Sequence, residues 1–104
     1  MSVLIIPCDR GSSLVEAKNI IRVEGMSNYS KIYFVNRHPM TVAKVLRWFQ
    51  DNLPQQMFTR VHRSHLVNRL FMLEINGAKS STLLLKNGES IAMSRRKKLL
   101  RLSE

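Results

Sequence analysis

The chain has 104 residues, 44% of them hydrophobic, and a net charge of +10 from 17 Lys and Arg against 7 Asp and Glu. That length predicts one domain spanning 1–104 with a single core, and the apolar fraction excludes global disorder. The cationic excess favours a polyanionic partner, nucleic acid or an anionic membrane surface, and no run of 18 apolar residues is present to span a bilayer.

In chain order, Ser2–Pro7 reads as a first strand; Met1–Pro7 is too short and too poor in charge for a signal peptide. Cys8, the lone cysteine, excludes an internal disulfide, fits a reducing, cytoplasmic compartment, and reads as a packed small hydrophobe. Asp9–Ser13 is turn chemistry, and Ser13–Lys18 suits either a short strand or a helical turn. Asn19–Glu24 predicts a strand with Ile21 and Val23 on one face and Ile20, Arg22 and Glu24 on the other. Gly25–Asn28 is a polar connector with a turn glycine. Tyr29–Val35 is a β-branched and aromatic strand that sets Ser30 opposite Tyr29, Lys31 and Tyr33.

After the turn Asn36–Pro39, Thr41 is a plausible N-cap. Val42, Val45, Leu46, Phe49 and Leu53 fall at helical spacing, which predicts a three-turn amphipathic helix over Val42–Leu53 with Val45, Leu46 and Phe49 inward. Pro54 ends it. Phe58–Asn68 (FTRVHRSHLVN) then holds a strand pattern to about Val61 and loses it at Arg63-Ser64-His65. Leu70–Ile75, Ser81–Lys86 and Glu89–Met93 are short strand-like runs divided by Asn76-Gly77 and Asn87-Gly88, two hairpin signals. Ser94–Arg101 is basic, and Leu99, Leu100 and Leu102 suit a short terminal helix. The expected fold class is mainly β, with antiparallel sheets, one middle helix and short helical turns.

Catalytic signals are weak, and no enzyme is expected. The seven acids form no close pair, and Gly25, Gly77 and Gly88 are isolated rather than a phosphate-binding loop. His62 and His65 form an H-x-x-H pair that would face opposite ways on one strand, and no neighbouring Cys, Asp or Glu completes a metal set. No metal or cofactor is therefore expected. Donor-bearing clusters are clearer. They are Asn28 to Lys31, the polar run His62-Arg63-Ser64-His65, and Arg95-Arg96-Lys97-Lys98 with Arg101. Each can be a solvated loop, or a set of donors for phosphate oxygens and base edges. RNA binding through Tyr29, Tyr33 and Phe34 lacks a surrounding stacking motif. A membrane-binding or protein-binding domain is the alternative of a different class. Against a membrane surface stands the lack of a helix with a strongly basic face.

The segments NIIRVEGMSNYSKIYF, MFTRVHRSHLVNRLFMLEI and LLLKNGESIAMSRRKKLL, in that order around the helix, resemble the LytTR-type DNA-binding domain over nearly the whole chain. The block F-x-R-V-H-R-S-x-L-V-N followed by N-G-x-x-I-x-x-S-R-R is its most specific part. That family usually forms the C-terminal effector of bacterial response regulators. The resemblance implies sequence-specific binding of double-stranded DNA, with loops entering successive major grooves, minor-groove contacts between them, and a bent duplex. It implies a first contact loop of Asn28, Tyr29, Ser30 and Lys31. A second is His62, Arg63 and Ser64, and a third is Arg95 and Arg96 with Lys97 beside them. Asn68 reads as a structural turn former. No receiver domain is present in these 104 residues. A receiver or sensor-kinase pathway is expected upstream, and a monomer alone that pairs on repeated half-sites of DNA.

Overall fold

The computed structural model describes residues 2–8, 10–77 and 81–94. Among these residues, ten short strands and one helix follow from the β-branched runs and the turn residues between them. They are β1 (Val3–Cys8), β2 (Gly11–Glu16), β3 (Ile20–Met26), β4 (Tyr29–Phe34), β5 (Met40–Val42), α1 (Leu46–Asn52), β6 (Phe58–His62), β7 (His65–Asn68), β8 (Met72–Asn76), β9 (Thr82–Leu85) and β10 (Ser90–Ala92). Single 3-10 turns occupy Ala17–Asn19 and Arg69–Phe71. Ser13–Lys18 thus contains both expected forms, strand to Glu16 and then a helical turn.

All pairings are antiparallel. A five-stranded sheet runs in the order β5-β4-β3-β7-β6, a three-stranded sheet in the order β10-β9-β8, and β1 pairs with β2 alone. The five-stranded sheet is covered on both faces. On one face the β1–β2 hairpin and α1 bury Leu4, Ile6, Val15, Leu46, Phe49 and Leu53 against Ile20, Val23, Ile32 and Leu66. On the other, Leu83, Leu85 and Ile91 of the three-stranded sheet meet Ile21, Val61 and Val67. The single expected core is therefore two apolar layers with a sheet between them. Strands buried on both faces need no alternation, which explains the weak period of two in the sequence.

Four expectations are corrected. Ile21 and Val23 do not share a face, because the β3–β4 register shifts between Ile20 and Arg22. The extra residue reverses the parity and sends Ile21 to the second layer and Val23 to the first. The helix begins at Leu46 rather than Val42. Val42 is a buried strand residue and Thr41 lies in β5, while the extended Val45 is 48% exposed at the cap position. Cys8 is exposed at the end of β1. Gly25 sits within β3, not in a turn, and a Cβ there would meet Leu46 Cβ at 3.0 Å. The glycine lets α1 approach the sheet.

The Asn-Gly signals hold. Gly77 and Gly88 take φ of 90° and 93°, where a side chain is disfavoured, and both flank antiparallel pairings. Asn68 is fully buried; its amide donates to Ile20 O at 2.9 Å and its oxygen accepts from Leu70 N–H at 2.9 Å, fastening the 3-10 turn. The expected terminal helix at Leu99, Leu100 and Leu102 lies outside the described residues.

Candidate nucleic-acid interface

Two hairpin ends meet at one end of the five-stranded sheet. β3 and β4 are joined by Ser27-Asn28, with Met26 paired to Tyr29. Ser27 takes a left-handed φ of 29° to close the turn. β6 and β7 are joined by Arg63-Ser64, with His62 paired to His65. The Gly25 N–H donates to Ser64 O at 2.8 Å and locks the two ends together. On the far side of the second hairpin, the Ser94 N–H donates to Val61 O at 2.8 Å. Ser94 is thus anchored two positions from Arg63.

The site residues divide by exposure. Asn28, Tyr29 and Arg63 are exposed; Lys31, His62 and Ser64 are half-buried. Ser30 is the departure: it is fully buried, and its hydroxyl donates to Lys44 O at 2.7 Å. Alternation along β4 turns it inward, toward the chain before α1, so the expected contact at Ser30 presents no donor beside Tyr29 and Lys31. Arg95, Arg96 and Lys97 lie outside the described residues.

The second turn is braced from within. Its Ser64 N–H donates to His62 Nδ1 at 3.1 Å, which fixes that imidazole as an acceptor at Nδ1. His62 and His65 stand side by side, ring centroids 5.2 Å apart, because the intervening turn folds the chain back. The expectation of opposite faces assumed one continuous strand. His65 Nδ1 is buried without a hydrogen-bond partner among the described residues. Burial pushes the His65 pKa down; Glu24 opposes this, and Arg22 and His62 reinforce it. No cluster of three metal-ligating side chains occurs among the described residues.

Arg60 is one of the polar residues of Phe58–Asn68 but not one of the expected contacts, yet its side chain bonds three partners at this end. Its guanidinium donates to His62 O, to Arg63 O and, at 2.9 Å, to Gln50 Oε1 of α1. Burial and the charge of Arg47 lower its pKa from the ordinary guanidinium value. The available signal was an arginine two positions after Phe58, where strand alternation calls for another inward side chain. An ion network is centred on the buried Arg22, with half-buried carboxylates around it. Arg22, 6% exposed, forks onto Glu89 at 3.1 and 3.0 Å, reaches Glu24 at 3.3 Å, and lies 3.9 Å from the centre of the Tyr33 ring. Burial disfavours the Arg22 charge, but the bonds and charge of Glu89, with the Glu24 bond, outweigh it and raise the pKa. The Arg22 bond in turn holds the Glu89 carboxyl below its usual range.

A double-covered antiparallel sheet that holds two donor-bearing hairpin ends together defines a mainly-β domain with polar turns gathered at one end. The LytTr DNA-binding domain family model matches residues 10–101, and the chain belongs to that family. Its fold is similar to a solved LytTr DNA-binding domain described as part of a methyl-accepting/DNA response regulator from Bacillus cereus. The two share 24% identity at a TM-score of 0.77, covering 97% of this chain and 98% of the other. No curated relative matches the sequence. Among the described residues no helix is long and apolar enough to cross a membrane.

Proposed function

We propose that this domain binds double-stranded DNA sequence-specifically, as the transcription-regulating effector of a bacterial two-component-type system in the cytoplasm. Asn28, Tyr29 and Lys31 at one hairpin end, and His62, Arg63 and Ser64 at the other, enter the grooves. Arg95, Arg96 and Lys97 add the third contact. Ser30 acts from below by holding β4 to the chain before α1.

The observation that carries this reading is the Gly25–Ser64 hydrogen bond, which fixes two donor-bearing turns as one unit. Preorganised loops lose little conformational freedom on binding. Arg63 is exposed at a two-residue tip, and its planar fork of donors matches the O6 and N7 acceptors of guanine. The surplus of 17 cations over 7 acids supplies the sequence-independent attraction to phosphate. The same surplus disfavours self-association away from DNA, which supports a monomer that pairs on repeated half-sites. Family membership and the description of the Bacillus cereus neighbour support a receiver or sensor-kinase pathway upstream.

Selection of bound duplexes from a random pool at about 150 mM salt tests the reading, because that ionic strength suppresses binding by charge alone. The expected result is a defined motif, repeated at a spacing near a whole number of about 10 bp helical turns. Enrichment of no motif would overturn the sequence-specific reading.

A further inference from the structure

We infer that Arg60 is a specificity-determining positioning residue, which holds the Arg63–Ser64 turn in its DNA-reading shape without itself touching DNA. This rests on the DNA-reading role proposed for that turn. Three separate donors of one guanidinium are committed. Nε meets His62 O at 3.4 Å, one terminal nitrogen meets Arg63 O, and the other meets Gln50 Oε1 at 2.9 Å. The first two acceptors are successive carbonyls of the turn; the third is a side chain on α1. One rigid plane thus ties a two-residue tip to the helix that packs on the sheet.

The tip needs such a tie. Arg63 and Ser64 both have negative φ, since Ser27 is the one non-glycine residue with positive φ among the described residues. Two-residue hairpins favour turns with positive φ, whose twist matches the flanking strands. Here the register shift between Arg60 and His62 accommodates the mismatch. Of the carbonyls at this turn, Ser64 O takes the Gly25 N–H, while Arg60 donates to His62 O and to Arg63 O. On the other side, His62 Nδ1 takes the Ser64 N–H at 3.1 Å. Side chains from β6 thus bond the turn at two carbonyls and one amide, beside the backbone bond from Gly25.

Lysine cannot replace this arrangement, because a point-like ammonium does not reach three acceptors set around a planar fork. A phosphate contact, by contrast, would tolerate lysine. The test therefore compares Arg60→Lys, Arg60→Gln and Gln50→Ala in the whole chain, with two readouts. The first is hydrogen exchange of the Arg63 and Ser64 amides in the free protein. The second is affinity for the selected duplex and for a scrambled one, across a salt series.

Arg60→Lys and Arg60→Gln are expected to raise turn exchange and weaken selected DNA about tenfold, with scrambled DNA nearly unaffected and the salt slope unchanged. Gln50→Ala should do the same more weakly. Retained affinity in Arg60→Lys, with a salt slope reduced by about one in Arg60→Gln, would overturn the inference and make Arg60 a phosphate contact. Unchanged turn exchange in both Arg60 variants would also overturn it. Absence of any DNA preference in the unsubstituted protein would instead defeat the DNA-reading role. The exchange measurement would still decide whether Arg60 orders the turn.

Discussion

Ser30 and Asn28 lie two residues apart in one proposed contact loop, yet they occupy opposite environments. Asn28 is in solvent, whereas Ser30 spends its hydroxyl on Lys44 O inside the protein. Ser30→Ala should cost about 1 kcal/mol in denaturant unfolding and leave DNA affinity of the folded protein unchanged. Loss of affinity without loss of stability would return Ser30 to the contact surface. Glu89 carries a second prediction. Its folded pKa lies below the ordinary value of 4.5, chiefly through the Arg22 hydrogen bonds. Its contribution is thus fully present above about pH 4.5 and is lost as pH falls through the folded value. Glu89→Gln should flatten that acid loss and cost about 1–3 kcal/mol at pH 7, because Arg22 keeps its burial but loses its strongest partner. The Glu89 side chain is 35% exposed, which holds the effect below that of a fully buried pair. Thermal unfolding of both forms between pH 3 and pH 7 checks it.

At the scale of elements, the packing of α1 on β3 decides where the first hairpin end sits. Gly25 makes that approach possible and also donates to Ser64 O, so one residue sets both contacts. Gly25→Ala should destabilise by about 1–3 kcal/mol, since Leu46 Cβ cannot rotate away from the added methyl. Leu46→Ala should cost about 2–5 kcal/mol through lost burial and a cavity. Equilibrium unfolding of the two variants measures both, and an unchanged midpoint for either would contradict this packing. The same region separates what was legible in the sequence from what was not. The Asn-Gly turns and the break at Arg63 declare themselves through local chemistry, and so does a strand from Tyr29 with Ser30 opposite Tyr29 and Lys31; that Ser30 is buried there, and not a contact, does not. The start of α1 does not: Val42 and Val45 fit a helical stripe, but Val42 is claimed by pairing with Ser30 in the sheet. The bulge at Ile20–Arg22 is likewise set by long-range register, as is the bracing role of Arg60. No window of residues contains their partners.

Across the whole molecule, the two-layer covering makes the central sheet a mount for the two hairpin ends, which are the proposed DNA contacts. Two hydrogen bonds from outside the second hairpin, at Gly25 and Ser94, converge on its end. The charge of +10 draws any duplex, so attraction alone does not establish reading. The central claim is that Arg63, exposed at the tip, distinguishes bases. Affinities for the selected and scrambled duplexes, with the unsubstituted chain and with Arg63→Ala, should be measured at one fixed salt concentration. The account predicts that Arg63→Ala costs about 1–3 kcal/mol on the selected site, relaxes the choice at one base pair, and changes scrambled binding far less. Equal weakening on both duplexes would contradict it and leave Arg63 a phosphate clamp.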